Sequence, residues 1–160
     1  MKVILPPAKS INEEIDYANY ECTQHLFQDE SSRLASKLVK LSARQIKKLM
    51  NVSQDIADLN YNRFQSWGLP FTNENSKPAG FIFTGAAYQA LDFTSLSEKE
   101  MKVGQEKLRI LSGMYGLLKP MDLIQPYRLE MGTSFKVTPK VTNLYKFWGD
   151  KLHNTLQAEL

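Results

Sequence analysis

The stretch Leu108–Gly132, LRILSGMYGLLKPMDLIQPYRLEMG, decides how this chain is read. Gly113 and Gly116 bracket Met114 and Tyr115, after a segment with helical signals, and Lys119 follows. Two glycines so spaced can adopt positive φ, which lets backbone N–H groups converge on one oxygen anion. If the turn joins two helices, the second helix N-terminus adds a dipole that favours phosphate. That is the logic of a helix-hairpin-helix element, which grips a DNA backbone without reading bases. The alternative is a turn that only reverses the chain. A second helix would run from Leu117 to Ile124, with Pro120 near its first turn and Pro126 closing it, a cramped arrangement.

Upstream of this stretch, Ser97-Glu98-Lys99-Glu100 is a capping box opening a helix toward Leu108. Gly104 inside it costs about 1 kcal/mol relative to Ala, so that helix needs tertiary support. Arg109–Leu111 either extends the helix or forms a strand. Downstream, Tyr127–Met131 reads as a strand, and Thr142–Leu156 as a closing amphipathic helix carrying Phe147 and Trp148. In the N-terminal half, Lys2–Leu5 reads as a buried strand ended by Pro6 and Pro7, and Asn12–Gln28 as loop. Helix signals begin at Asp29, with Leu34, Leu38 and Leu41 at helical spacing. Ser42 with Gln45 predicts a second capped helix, and Ser53 a third, with Ile56, Leu59, Tyr61 and Phe64 facing inward and Trp67-Gly68 at its end. Phe71–Ala79 is loop-like. Gly80–Thr84 is expected as a buried strand, leading through Gly85 into a short helix over Ala86–Leu91. Strands alternating with helices predict a mixed α/β (α+β) architecture with a helix-rich N-terminal half, and 160 residues predict a single domain over 1–160.

Apolar content of 42% and charged content of 23% suit a globular protein, and no apolar run reaches the roughly 20 residues of a membrane span. A single cysteine, Cys22, excludes an internal disulfide framework and fits a reducing compartment, so a cytoplasmic location is expected. The net charge of +3 is modest, but its distribution is not even. Between Ser31 and Gln54 stand Arg33, Lys37, Lys40, Arg44, Lys47 and Lys48, with no Asp or Glu. Such a run is either a solvated helical face or the footprint of an anionic polymer.

Catalytic and metal motifs are sparse. Cys22 and His25 have ligand-like spacing but no second pair, since His153 stands far along the chain, so no metal site and no cofactor are predicted. No nucleophile elbow, P-loop or dinucleotide fingerprint occurs. Lys9 follows the first strand, where α/β sheets commonly place ligand contacts, and can serve as a phosphate-binding charge or stand in an exposed loop. Arg128 and Glu130 share a strand face, either pairing with each other or presenting Arg128 to an anion. Leu144–Asp150 mixes aromatics with Lys146, a pattern of nucleic-acid stacking or of plain core.

ILPPAKSI, LSGMYGLLKPMDLIQPYRLEMG and LYKFWGDKL, in that order along the chain, resemble the YaaA family, the bacterial peroxide-stress-resistance proteins. The resemblance implies a cytoplasmic DNA-binding protein with an unusual mixed α/β fold, a positively charged cleft, a helix-hairpin-helix-like element, and limitation of free intracellular iron. Carried over residue by residue, it implies that Lys9, Gly113, Gly116, Lys119, Tyr127, Arg128 and Lys146 contact duplex phosphate, with Glu130, Trp148 and Asp150 in support. Two departures stand out. Where the family has a Gly-Asp-Val-Tyr-like segment, this chain reads Gly85-Ala86-Ala87-Tyr88, so a carboxylate is lost at Ala86. Family members also run well beyond residue 160 with a second basic segment, so an incomplete member is expected. The leading reading is thus a non-enzymatic duplex-DNA-binding protein of the peroxide-stress response. The alternatives are a DNA-processing enzyme, lyase or glycosylase-like, using Lys9 or Glu130, and an inactive truncated remnant.

Overall fold

The computed structural model describes residues 1–17 and 20–160. Its elements are mixed α and β, in small sheets flanked by short helices. β1 (Val3–Leu5) lies parallel to β4 (Leu108–Ser112), which continues antiparallel into β5 (Gly116–Leu118). A second sheet joins β2 (Thr23–Gln24), β6 (Asp122–Ile124) and β3 (Lys77–Pro78), with β6 central, parallel to β2 and antiparallel to β3. β2 falls inside the expected Asn12–Gln28 loop; residues 18 and 19 of that segment lie outside the described residues.

The N-terminal helices follow their local signals. α1 (Gln28–Leu38) buries Leu34 and Leu38 completely. α2 (Ala43–Met50) starts on the expected capping box: Gln45 N–H donates to Ser42 Oγ at 3.2 Å, and Ser42 N–H donates to Gln45 Oε1 at 2.9 Å. α3 (Gln54–Ser66) is capped by Ser53, whose Oγ accepts from Ile56 N–H at 3.3 Å. Its inward stripe is Ala57, Asn60 and Phe64, whereas Leu59 and Tyr61 are exposed, contrary to expectation. Ala57, Asn60 and Phe64 follow the i, i+3, i+7 stripe, and Leu59 and Tyr61 lie off it. α6 (Glu98–Lys107) carries the second capping box, with Glu100 Oε2 accepting from Ser97 N–H at 2.8 Å.

Elsewhere tertiary context overrides local pattern. Gly80–Thr84 is buried for most of its length, yet it is no strand: Ala79–Ile82 forms the single-turn helix α4, and Phe83 makes one isolated bridge to Ile11. A short run that is apolar on every side carries no period that separates helix from strand. α5 (Ala86–Leu91) follows as expected. The closing helix is two, α7 (Leu144–Trp148) and α8 (Lys151–Ala158), broken at Gly149, whose φ is +50°.

Strand pairing fixes the conformation of the 113–116 turn. Ser112 pairs with Gly116, so Gly113-Met114-Tyr115 is the turn of a β-hairpin between β4 and β5, not a link between two helices. Leu117–Ile124 contributes β5 and β6 instead of a helix. Met114 and Tyr115 are fully buried, and Trp148 Nε1–H donates to the Gly113 carbonyl at 3.0 Å. A Cβ at Gly113 would lie 2.2 Å from the Leu129 carbonyl oxygen. Gly116 has φ +76°, and a Cβ there would lie 2.8 Å from the Trp148 ring. The glycines are needed because backbone and an indole press against them, and a buried turn offers no N–H groups to a phosphate.

Candidate nucleic-acid interface

The structure does contain a helical hairpin, but further upstream. α2 ends at Asn51, which takes the left-handed conformation at φ 51° and ψ 57°. Asn tolerates that region because its short polar side chain bonds locally. Val52 N–H closes the end by donating to Lys47 C=O at 3.3 Å, the six-to-one bond of a Schellman-type stop, and Ser53 at once caps α3. Asn51-Val52-Ser53 thus turns the chain between two helices that pack on each other, with Ile46 of α2 and Ala57 and Phe64 of α3 all buried.

The outer side of this hairpin is basic. Arg44, Lys47 and Lys48 line a shallow depression of about 520 Å³ together with Asn51, Val52 and Gln54. Arg33 and Lys37 stand on α1 and Lys40 on the link that follows it, and all six side chains of the run are exposed. Among the described residues none of the six forms an ion pair. Arg33 instead lies 5.3 Å from the centre of the Phe147 ring. α3 begins at the rim of this depression with Gln54, followed by the acidic Asp55, and in its first turn the Ile56 N–H is taken by Ser53 Oγ.

Four residues of the expected site do meet elsewhere. Lys9, Tyr127, Arg128 and Glu130 line a cleft of about 270 Å³ with Pro7, Ala8, Leu129 and Met131. Lys9 Nζ lies 3.4 Å from Glu130 Oε1, an exposed pair. Tyr127–Met131, expected as a strand, forms none among the described residues, although its burial alternates as expected, with Tyr127 and Leu129 buried. The buried Tyr127 hydroxyl shares a 2.7 Å hydrogen bond with Ser112 Oγ, and burial raises its pKa above the usual tyrosine value. Tyr127 is therefore a wall of the cleft, not a phosphate contact. Arg128 is half-buried, and its Nε is shielded from solvent without a hydrogen-bond partner among the described residues. Gly85 packs against Ala8 at this cleft, and Ala86 beside it is exposed, so no carboxylate is supplied from α5.

The remaining expected residues are dispersed. Lys119 is exposed at the β5–β6 turn, where its N–H donates to Asp122 Oδ2 at 2.8 Å. It lines a separate cavity of about 330 Å³ with Arg109, Asp122 and Glu159. Asp122 is buried, and burial raises its carboxyl pKa. Lys146 reaches Thr142 Oγ1 at 3.1 Å on α7, Trp148 is core, and Asp150 is exposed ahead of α8. His25, weighed as a ligand with Cys22, is 1% exposed between Phe71 and Tyr115, with Nε2 3.1 Å from Ser31 Oγ. No helix of the described residues is long and apolar enough to cross a membrane.

No glycine marks the α2–α3 turn, so glycine spacing does not reveal this hairpin in the sequence. The signal available was Asn-Val-Ser between two capped apolar stripes.

Comparison with known proteins agrees with the sequence motifs. A UPF0246 protein of Hahella chejuensis is 44% identical over all of this chain. UPF0246 proteins of Aliivibrio fischeri strain MJ11 and Flavobacterium psychrophilum are 46% and 42% identical over the same residues. The chain spans 61–63% of the length of these curated relatives. The family model described as peroxide stress protein YaaA matches residues 1–160, and the chain belongs to that family.

Proposed function

We propose that this chain binds the phosphate backbone of duplex DNA through the α2–α3 helical hairpin, as its part in the peroxide-stress response. The observation that carries the reading is the cluster of Arg44, Lys47 and Lys48 around the Asn51 turn, exposed and without acidic partners among the described residues. Fixed cations at a helix end fit phosphates along a backbone, which carry no base sequence. The reading gives the Lys9–Arg128 cleft a lesser part, because Glu130 already neutralises Lys9.

Neutralising about three phosphates gives a log–log salt slope near −2.7, hence about 40-fold weaker binding between 50 and 200 mM salt. The experiment is a fluorescence-anisotropy titration of two duplexes of unrelated sequence across that salt range. Equal affinities and the 40-fold loss support the reading. Salt-insensitive binding, or a strong preference for one sequence, counts against it.

A further inference from the structure

We propose that the open edge of β1 is the seat of a strand supplied by the portion of full-length relatives that has no counterpart in this chain. β1 is the outermost strand of its sheet, pairing only with β4 among the described residues. Val3 and Ile4 are 42% and 46% exposed. Successive strand residues point to opposite faces, so apolar surface is uncovered on both sides of this edge. Folded proteins protect such an edge by keeping it short, or with charge, proline, a bulge or a cover. β1 is short and stands between Lys2 and Pro6, but Val3-Ile4-Leu5 itself carries no charge, proline or bulge, and a cover would bury its exposed apolar side chains.

The occupant follows from length and position. This chain accounts for about three fifths of relatives to which it is 42–46% identical, leaving close to two fifths of their length without a counterpart here. Glu159, just after α8, is held at Arg109 by a 2.7 Å ion pair, and its carboxylate is 4.0 Å from Lys2 Nζ. Arg109 is the β4 residue in register with Ile4. A polypeptide continuing past α8 thus starts beside β1, and adding a strand there would pair the outward N–H and C=O groups of the edge while covering Val3 and Ile4.

The test is amide hydrogen exchange at Val3–Leu5. It compares this chain alone with a chimera that continues from Leu160 into the unmatched portion of the Aliivibrio fischeri relative. Outward-facing amides are expected to exchange at least about 100-fold more slowly in the chimera, as ladder amides do. Ile4→Glu is expected to abolish that added protection while leaving the thermal midpoint of this chain alone unchanged. The intact relative, compared with its own form cut at the position aligned with Leu160, gives the same readout in a natural sequence. Equal exchange with and without the added portion overturns the proposal. So does protection in this chain alone that rises with its concentration, because the occupant would then be a second copy.

Discussion

Replacing Gly113 with alanine decides whether the 113–116 turn is a packing element or an anion cradle. The new Cβ would stand 2.2 Å from the Leu129 carbonyl oxygen and 3.1 Å from the Leu129 and Glu130 carbonyl carbons. These are backbone atoms, so relief requires a shift of the whole 127–131 segment. Overpacking of that kind costs about 1–3 kcal/mol and occasionally more. The shift also strains the 3.0 Å bond from Trp148 Nε1–H to the Gly113 carbonyl. A buried donor left without its acceptor costs about 1–3 kcal/mol. A combined loss of about 4 kcal/mol, at about 2–4 °C per kcal/mol for a chain of this size, lowers Tm by about 12 °C. Calorimetry or circular dichroism reads the midpoint, and duplex titration at 10 °C reads the surviving folded fraction, whose affinity should stay within about twofold of the parent. A Tm within about 2 °C of the parent together with a tenfold loss of duplex affinity would refute the packing account.

Other expectations follow from single contacts. Burial lowers the His25 pKa from 6.5 to about 4. The unfolded chain takes up that proton near pH 6.5 while the fold resists it, so the contribution is complete above about pH 6.5 and about 3 kcal/mol is lost as pH falls toward 4. His25→Gln should flatten that part of a urea-stability profile against pH, and an unchanged profile would assign the loss to carboxylates. Glu159→Gln leaves the 4% exposed Arg109 side chain without its carboxylate and should cost about 2 kcal/mol in denaturant unfolding. The double change Arg109→Met with Glu159→Leu should recover most of that loss. Ser97→Ala removes a capping box and should cost about 1 kcal/mol with an unchanged denaturant slope.

What was legible in the sequence tracks how local the deciding contact is. The capping boxes at Ser42 and Ser97 join residues three apart, so their pattern alone places the starts of α2 and α6. The basic run was equally legible, and the structure adds that its side chains are exposed. Gly113 and Gly116 were misassigned because the groups that demand glycine there, the Leu129 carbonyl and the Trp148 ring, are far along the chain. Local reasoning sees a glycine pair and cannot see what presses on it. The cleft at Lys9 came from family resemblance, and it does assemble, but Tyr127 and Trp148 turned out to be buried supports. The ion pair of Arg109 was not legible, because its partner Glu159 lies 50 residues further along the chain.

The central claim is that phosphate is held at the α2–α3 hairpin. The most direct measurement compares the salt slope of duplex binding for Arg44→Gln/Lys47→Gln/Lys48→Gln with that for Lys9→Gln/Arg128→Gln and for Lys119→Gln. The substituted hairpin positions are exposed, so folding should persist, and each lost phosphate contact should reduce the slope by about 0.9. The account predicts a slope falling from about −2.7 toward zero in the hairpin variant and unchanged in Lys119→Gln. A hairpin variant that keeps its slope, with the slope lost instead in Lys9→Gln/Arg128→Gln, would contradict it.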